Sequence, residues 1–192
     1  MSDRFSFGAV AAATVVTLVV LAPIVGVLPI TASAQAQHSS YAVAQGTTCS
    51  VVDPVTNTSQ TASSFYDYRN PYPYITGNPF ASTYSSYGTR AYQETSASKL
   101  LFYEGADGAS MVLVHDRLGD EDGGSTASMT FSGLPSDGEW VVEDDEYPGR
   151  DDEWTIGDTT TTVDWMWGEN RTDGAVFRGL GDISDPVILS PG

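Results

Sequence analysis

The sequence predicts an all-β fold, an antiparallel β-sandwich or a small barrel of about seven to nine short strands. Three observations carry this. Short runs rich in Val, Thr, Phe and Trp recur through residues 98–192. Clusters of Gly, Asp and Pro separate them at intervals that suit a hairpin meander. Helical spacing of apolar residues is hard to find past residue 37.

The runs can be taken in order. "KLLFYE" leads through the turn "GADGA" to "SMVLVHDR". The latter is apolar on both faces and predicts a central strand. After "LGDEDGG" comes "STASMTFS", where Met129 and Phe131 share a side. "GLPSDG" leads to "EWVVED", where alternation puts Trp140 and Val142 on one face. The acidic turn "DEYPGRDD" precedes "EWTI", the turn "GD" and "TTTTVDWMW". In that last run Val163, Trp165 and Trp167 share a face that reads as core, with Asp164 and Met166 opposite. "GENRTDG" then reads as a hairpin turn before "AVFRG", and "PVILS" closes the series.

Residues 1–36 read as a signal peptide or an uncleaved amino-terminal transmembrane anchor helix. The apolar stretch Ala9–Ile30 follows a single basic residue, Arg4. Ala32-Ser33-Ala34 and Ala34-Gln35-Ala36 fit a signal-peptidase site. About 20 apolar residues also suffice to span a bilayer, which keeps the anchor open. On either reading this segment inserts in the membrane during export, and the rest lies outside the cytoplasm. Residues 37–97 form a low-charge segment rich in Tyr, Ser and Pro. Seven of the ten tyrosines lie between Tyr66 and Tyr92. One early strand is expected within Tyr41–Asp53, and the tyrosines are expected to pack against the later domain. Residues 98–192 form an acidic β-meander, expected to make one domain with 37–97.

The formal net charge is −17, from 25 acidic and 8 basic residues. Residues 93–192 carry all of it, with 22 acids against Lys99, Arg117, Arg150, Arg171 and Arg178. Such a field repels nucleic acid and anionic membrane surfaces, which excludes both as partners. It attracts cations and suits high salt, where self-repulsion is screened. Cys49 is the single cysteine, so no intrachain disulfide forms. Its apolar neighbours predict a buried strand thiol.

Two acidic loops are candidate Ca²⁺ sites, because a hard cation takes several carboxylate oxygens. Asp116, Asp120 and Asp122 surround one glycine turn, and Asp144 and Asp145 stand opposite Asp151 and Asp152 across another. Solvated acidic turns are the simpler alternative. The two histidines, His38 and His115, match no zinc or copper spacing. No nucleophile-elbow or phosphate-loop motif is present, so a non-enzymatic role is expected. Asn57 and Asn170 head glycosylation sequons, with Asn170 favoured by its turn. Trp167, Tyr72 and Tyr74 are ligand-surface candidates, since aromatic rings with a polar handle suit wet interfaces.

The stretches "GLPSDGEWVVEDDEY" and "VDWMWGENRTDGAVFRGLGD" resemble parts of acidic, secreted, uncharacterised cell-surface proteins of halophilic archaea. The resemblance implies an exported domain that faces salt and can be tied to the envelope; envelope components or glycans are the candidate partners, the glycans on the strength of the Trp and Tyr faces. It brings no activity and no catalytic residues. The leading expectation is a non-enzymatic extracellular β-domain, a binding or structural module. A carbohydrate-binding module using Trp and Tyr faces, or an unrecognised secreted enzyme, are the alternatives.

Overall fold

The computed structural model describes residues 5–9, 41–45, 47–69, 84–121, 123–145, 152–181 and 187–192. These residues form fourteen strands and one five-residue helix. The strands are β1 (Phe5–Ala9), β2 (Tyr41–Gln45), β3 (Thr48–Val52), β4 (Val55–Asn57), β5 (Tyr68–Arg69) and β6 (Ser85–Ser86). They continue as β7 (Ser98–Gly105), β8 (Gly108–His115), β9 (Ser125–Ser132), β10 (Glu139–Glu143) and β11 (Glu153–Ile156). The last are β12 (Thr160–Trp167), β13 (Asp173–Arg178) and β14 (Val187–Pro191), and helix α1 is Ala62–Tyr66.

One sheet has seven strands in the order β11-β12-β9-β14-β1-β2-β3, and a second has five in the order β10-β13-β8-β7-β4. A two-stranded sheet joins β5 and β6. Neither large sheet closes into a barrel. The chain is all-β as expected, with more strands than the sequence suggests. Most pairs are antiparallel, but β4 runs parallel to β7. Tyr41–Asp53 gives two strands, β2 and β3, which pair as a hairpin. In the amino-terminal segment Phe5–Ala9 is a strand between β14 and β2, and the expected helix otherwise falls outside the described residues. Among the described residues no helix is long and apolar enough to cross a membrane.

The five-stranded sheet is apolar on both faces, and each face has its own core. Its inner face puts Phe102, Met111, Leu113, Ala175 and Phe177 against Phe131, Val163, Trp165 and Leu189 of the seven-stranded sheet. Aromatic rings meet edge to face there: Trp140 lies 5.1 Å from Phe131 and 5.1 Å from Phe177. Each ring so buried contributes about 2–3 kcal/mol by area. The outer face puts Tyr103, Val112, Val142 and Val176 against Ala62, Phe65 and Tyr66 of α1. Phe65 stacks on Tyr103 at 4.3 Å. Thr61 caps α1 by accepting from the Ser64 N–H, and Asp67 ends it in the left-handed region at φ 51°. Of the Tyr-rich segment, Phe65, Tyr66, Tyr68 and Tyr92 thus pack against the second sheet, while residues 70–83 lie outside the described residues.

Alternation is kept in β12, where Val163, Trp165 and Trp167 are buried and Asp164 and Met166 exposed. The central position expected for β8 is met, between β7 and β13. Alternation fails in β10. Trp140 joins the inner core and Val142 the outer one. The register slips between them, so Trp140 opposes Phe177 while Val142 opposes Val176. A bulge adds one residue and turns the next side chain to the other face.

The meander is also overturned. β7–β8 and β11–β12 are hairpins, but the chain passes between the two large sheets after β8, β9, β10, β12 and β13. "GENRTDG" is one of these crossings, from β12 to β13, and not a hairpin turn. An apolar strand face is buried equally well by a partner across the core as by one beside it, so the pattern does not distinguish them. Cys49 is exposed, because β3 is the outermost strand of its sheet.

Candidate functional site

Polar side chains concentrate at one end of the five-stranded sheet. β8 ends there at His115, which lies opposite Asp173 at the start of β13. β10 ends beside them, followed by Asp144 and Asp145. All five of His115, Asp116, Asp144, Asp145 and Asp173 are buried, as is Asp152 before β11.

The His115 corner is closed, and its polar atoms are paired except the His115 Nε2, which has no hydrogen-bond partner among the described residues. The His115 Nδ1 lies 2.6 Å from the Ser98 hydroxyl. Its ring stacks on Trp167 at 5.2 Å and tilts against Trp165 at 4.6 Å. Burial lowers its pKa to about 4, against a smaller upward pull from Asp116. Asp116 takes the left-handed conformation, φ 66°. Its Oδ1 accepts from the Ser96 N–H and the Arg117 N–H, each at 2.9 Å. Its Oδ2 accepts from the Trp167 indole N–H at 2.8 Å. Burial raises the Asp116 pKa, but these donors and a side-chain hydrogen bond with Asp120 outweigh it, and the net direction is down.

The second corner is acidic throughout. The Tyr66 hydroxyl donates to Asp144 Oδ2 and the Tyr68 hydroxyl to Asp145 Oδ1, both at 2.6 Å. The Met166 N–H donates to Asp152 Oδ1 at 2.9 Å. The Gly174 N–H donates to Asp173 Oδ1 at 2.7 Å. Residue 174 has to be glycine, since a Cβ would meet the Leu113 carbonyl oxygen at 2.1 Å. Burial, then repulsion from Asp145 and Asp152, holds the Asp144 carboxyl well above the usual carboxylate range, the Tyr66 bond notwithstanding. Burial, then Asp144, Asp152 and Asp145, does the same to Asp173. Burial and the Asp144 charge also hold the Tyr66 hydroxyl in its protonated, donating form.

Of the Ca²⁺ candidates, the structure brings Asp144, Asp145 and Asp152 together. It places Asp116 and Asp120 in the other corner, where N–H donors occupy both Asp116 oxygens. Asp122 and Asp151 lie outside the described residues, as do Tyr72 and Tyr74. Among the described residues no group of three or more His, Cys, Asp or Glu side chains is placed to hold a metal ion. Trp167 is not a ligand surface: it is buried, because both its ring and its N–H are engaged by His115 and Asp116.

The sequons change order. Asn57 is exposed, whereas Asn170 is half-buried and its Thr172 lies inside. Thr172 Oγ1 accepts from the Ser86 N–H at 2.9 Å, tying β6 to the start of β13. Asn170 also borders an open groove of about 410 Å³ with Tyr87 and Arg90. The guanidinium groups of Arg69 and Arg90 lie 4.5 and 4.6 Å from the centre of the Tyr87 ring.

Sequence reasoning missed Asp173, Tyr66 and Tyr68. Asp173 reads as a turn residue before glycine, and its only hint is a charge leading into the apolar run "AVF". The tyrosines sit in a segment without strand periodicity, and Tyr66 meets Asp144 across 78 positions. No protein-family model, curated protein or solved structure matches the chain.

Proposed function

We infer that the chain is a non-enzymatic extracellular β-sandwich domain, a binding or structural module of the cell surface or its surroundings, working in high salt. The observation that carries this reading is where its reactive side chains are spent. His115 is 0 % exposed and bonded to Ser98, so it meets no substrate. The hydroxyls of Tyr66 and Tyr68 tie the Tyr-rich layer to strand ends 78 and 77 residues away. The chemistry inside holds layers together. The acids elsewhere, such as Glu139, Glu153, Asp158 and Asp164, face solvent. That division suits a domain kept soluble in salt. The carbohydrate alternative loses its main support, since Trp165 and Trp167 offer no open ring face.

Fractionation of cells expressing the full chain tests the location, with mass spectrometry of its amino terminus. The expected result is an extracellular product starting at Gln35 or Gln37, which gives up the pairing of β1 with β14 and β2, or an intact chain held at the outer membrane face. A cytoplasmic product with its first residues intact overturns the reading.

A further inference from the structure

The outward face of the seven-stranded sheet differs from the rest of the molecule. In a chain of net charge −17, five neighbouring strands, β9, β14, β1, β2 and β3, contain no charged residue. The inner side of this sheet carries the core, with Val163, Trp165, Phe131 and Leu189. Alternate residues point the other way. On β12 and β9 these include Thr162 and Thr130, which lie opposite each other with their hydroxyls 3.1 Å apart. Met166 and Ile188 share that side, and so does Val51, since Val52 beside it packs inward. Met166 is 46 % exposed, Ile188 36 % and Val51 73 %, three of the four large apolar side chains so exposed among the described residues. A wide face without charge, carrying Met and aliphatic side chains, has the composition of an interface core.

We propose that two copies of the chain associate through this face, stacked sheet on sheet about a two-fold axis. Charge and area argue for a second copy. Two bodies of charge −17 repel wherever their acids meet, and this face lets them meet without facing carboxylates. The acids on it, Glu153 and Asp164, are paired neighbours at its β11 end. An axis running along the strands sets them over the uncharged β2–β3 end of the other copy. Seven strands about 4.8 Å apart, each about five residues long, make a face of roughly 550 Å². Two such faces bury on the order of 1,100 Å², which clears the roughly 1,000 Å² expected of a specific interface. Short hydroxyl side chains let the two sheets approach to about 10 Å, the spacing of packed sheets. Each copy uses its face up in the pair, so the assembly closes at two.

Sedimentation of the full chain over a concentration series tests this, in a mild detergent that keeps Ala9–Ile30 in solution. The expected result is a monomer–dimer equilibrium, with the dimer fraction rising with salt as the remaining repulsion is screened. Met166→Glu and Ile188→Glu alter exposed positions and set like charges against each other, and each is expected to weaken the dimer about tenfold or more. Ser136→Glu makes the same charge change in an exposed turn off this face and is expected to leave the dimer unchanged. Cys49 lies on the same face and is exposed, so its reaction with a thiol reagent is expected to slow as the unaltered chain pairs, and not to slow in Ile188→Glu. A chain that is monomeric at every concentration, a dimer that survives both substitutions or dissolves as salt rises, or growth beyond two copies overturns the proposal. The outcome is separate from cellular location: a cytoplasmic chain that pairs through this face would sink the extracellular reading and leave the interface standing.

Discussion

Asp116 and Asp144 occupy matching positions with opposite outcomes. Each directly follows the last residue of a strand in the same five-stranded sheet, and each is buried. Asp116 is met by three N–H donors, and its carboxyl is held below its ordinary value. Asp144 is met by tyrosine hydroxyls and by neighbouring aspartates, and its carboxyl is held well above. Burial acts on both in the same direction but goes deeper at Asp144, so depth and the groups aimed at the carboxylate, the Asp120 side chain included at Asp116, separate them together. A buried acid with enough N–H groups is a structural acceptor, and one without them is a place where a proton has to go.

The largest expected effect removes the satisfied acceptor. Asp116→Ala leaves the Ser96 and Arg117 N–H groups and the Trp167 indole without a partner in a closed site. At about 1–3 kcal/mol for each orphaned group, incompletely additive, the loss is about 3–5 kcal/mol in urea unfolding. A loss under about 1 kcal/mol would mean that the corner relaxes into water, and the contrast with Asp144 would collapse.

Next is the pH response of the same corner. His115 is depressed to about 4 in the folded chain, against an unfolded value near 6.5. The folded state therefore binds fewer protons between these values. The stability His115 contributes is complete above the unfolded value and drains as pH falls through the folded one. The loss reaches about 3 kcal/mol by pH 4. Urea midpoints at pH 7 and pH 4 measure it, and His115→Gln is expected to shrink the difference. An equal difference in parent and variant would assign the acid sensitivity to other groups.

The smallest effects sharpen the acidic corner. Tyr66→Phe takes a donor from Asp144 and is expected to lose about 2 kcal/mol. Tyr68→Phe acts on Asp145 at a half-buried position and is expected to lose about 1 kcal/mol. Equal losses would say that depth in the site does not matter. The two substitutions can be compared by the same unfolding assay.

How much of this was legible depends on whether the information is local. The burial of Val163, Trp165 and Trp167 is written in every second residue of β12. The central place of β8 is written in an apolar run with no polar face. The bulge in β10 is not written, since Trp140, Val141 and Val142 are all apolar and any phase of the pleat fits them. Cys49 misled because the same alternation serves an edge strand and a covered one. The acidic site was half legible. Asp144, Asp145 and Asp152 are near in sequence, so a turn sufficed to suggest that they meet. Asp173 joins only because β13 lies beside β10 in the sheet, and Tyr66 only because α1 packs across it. Those are tertiary facts with no periodic trace.

The slipped register of β10 has a mechanical consequence. A five-residue strand sends Trp140 into one core and Val142 into the other, so it works as a rivet through two layers. Loosening either layer pulls on the same backbone. The aromatic interior and the tyrosine-paved exterior are therefore bound into one cooperative unit, and the outer layer is not a coat that can be shed while the inside stays intact.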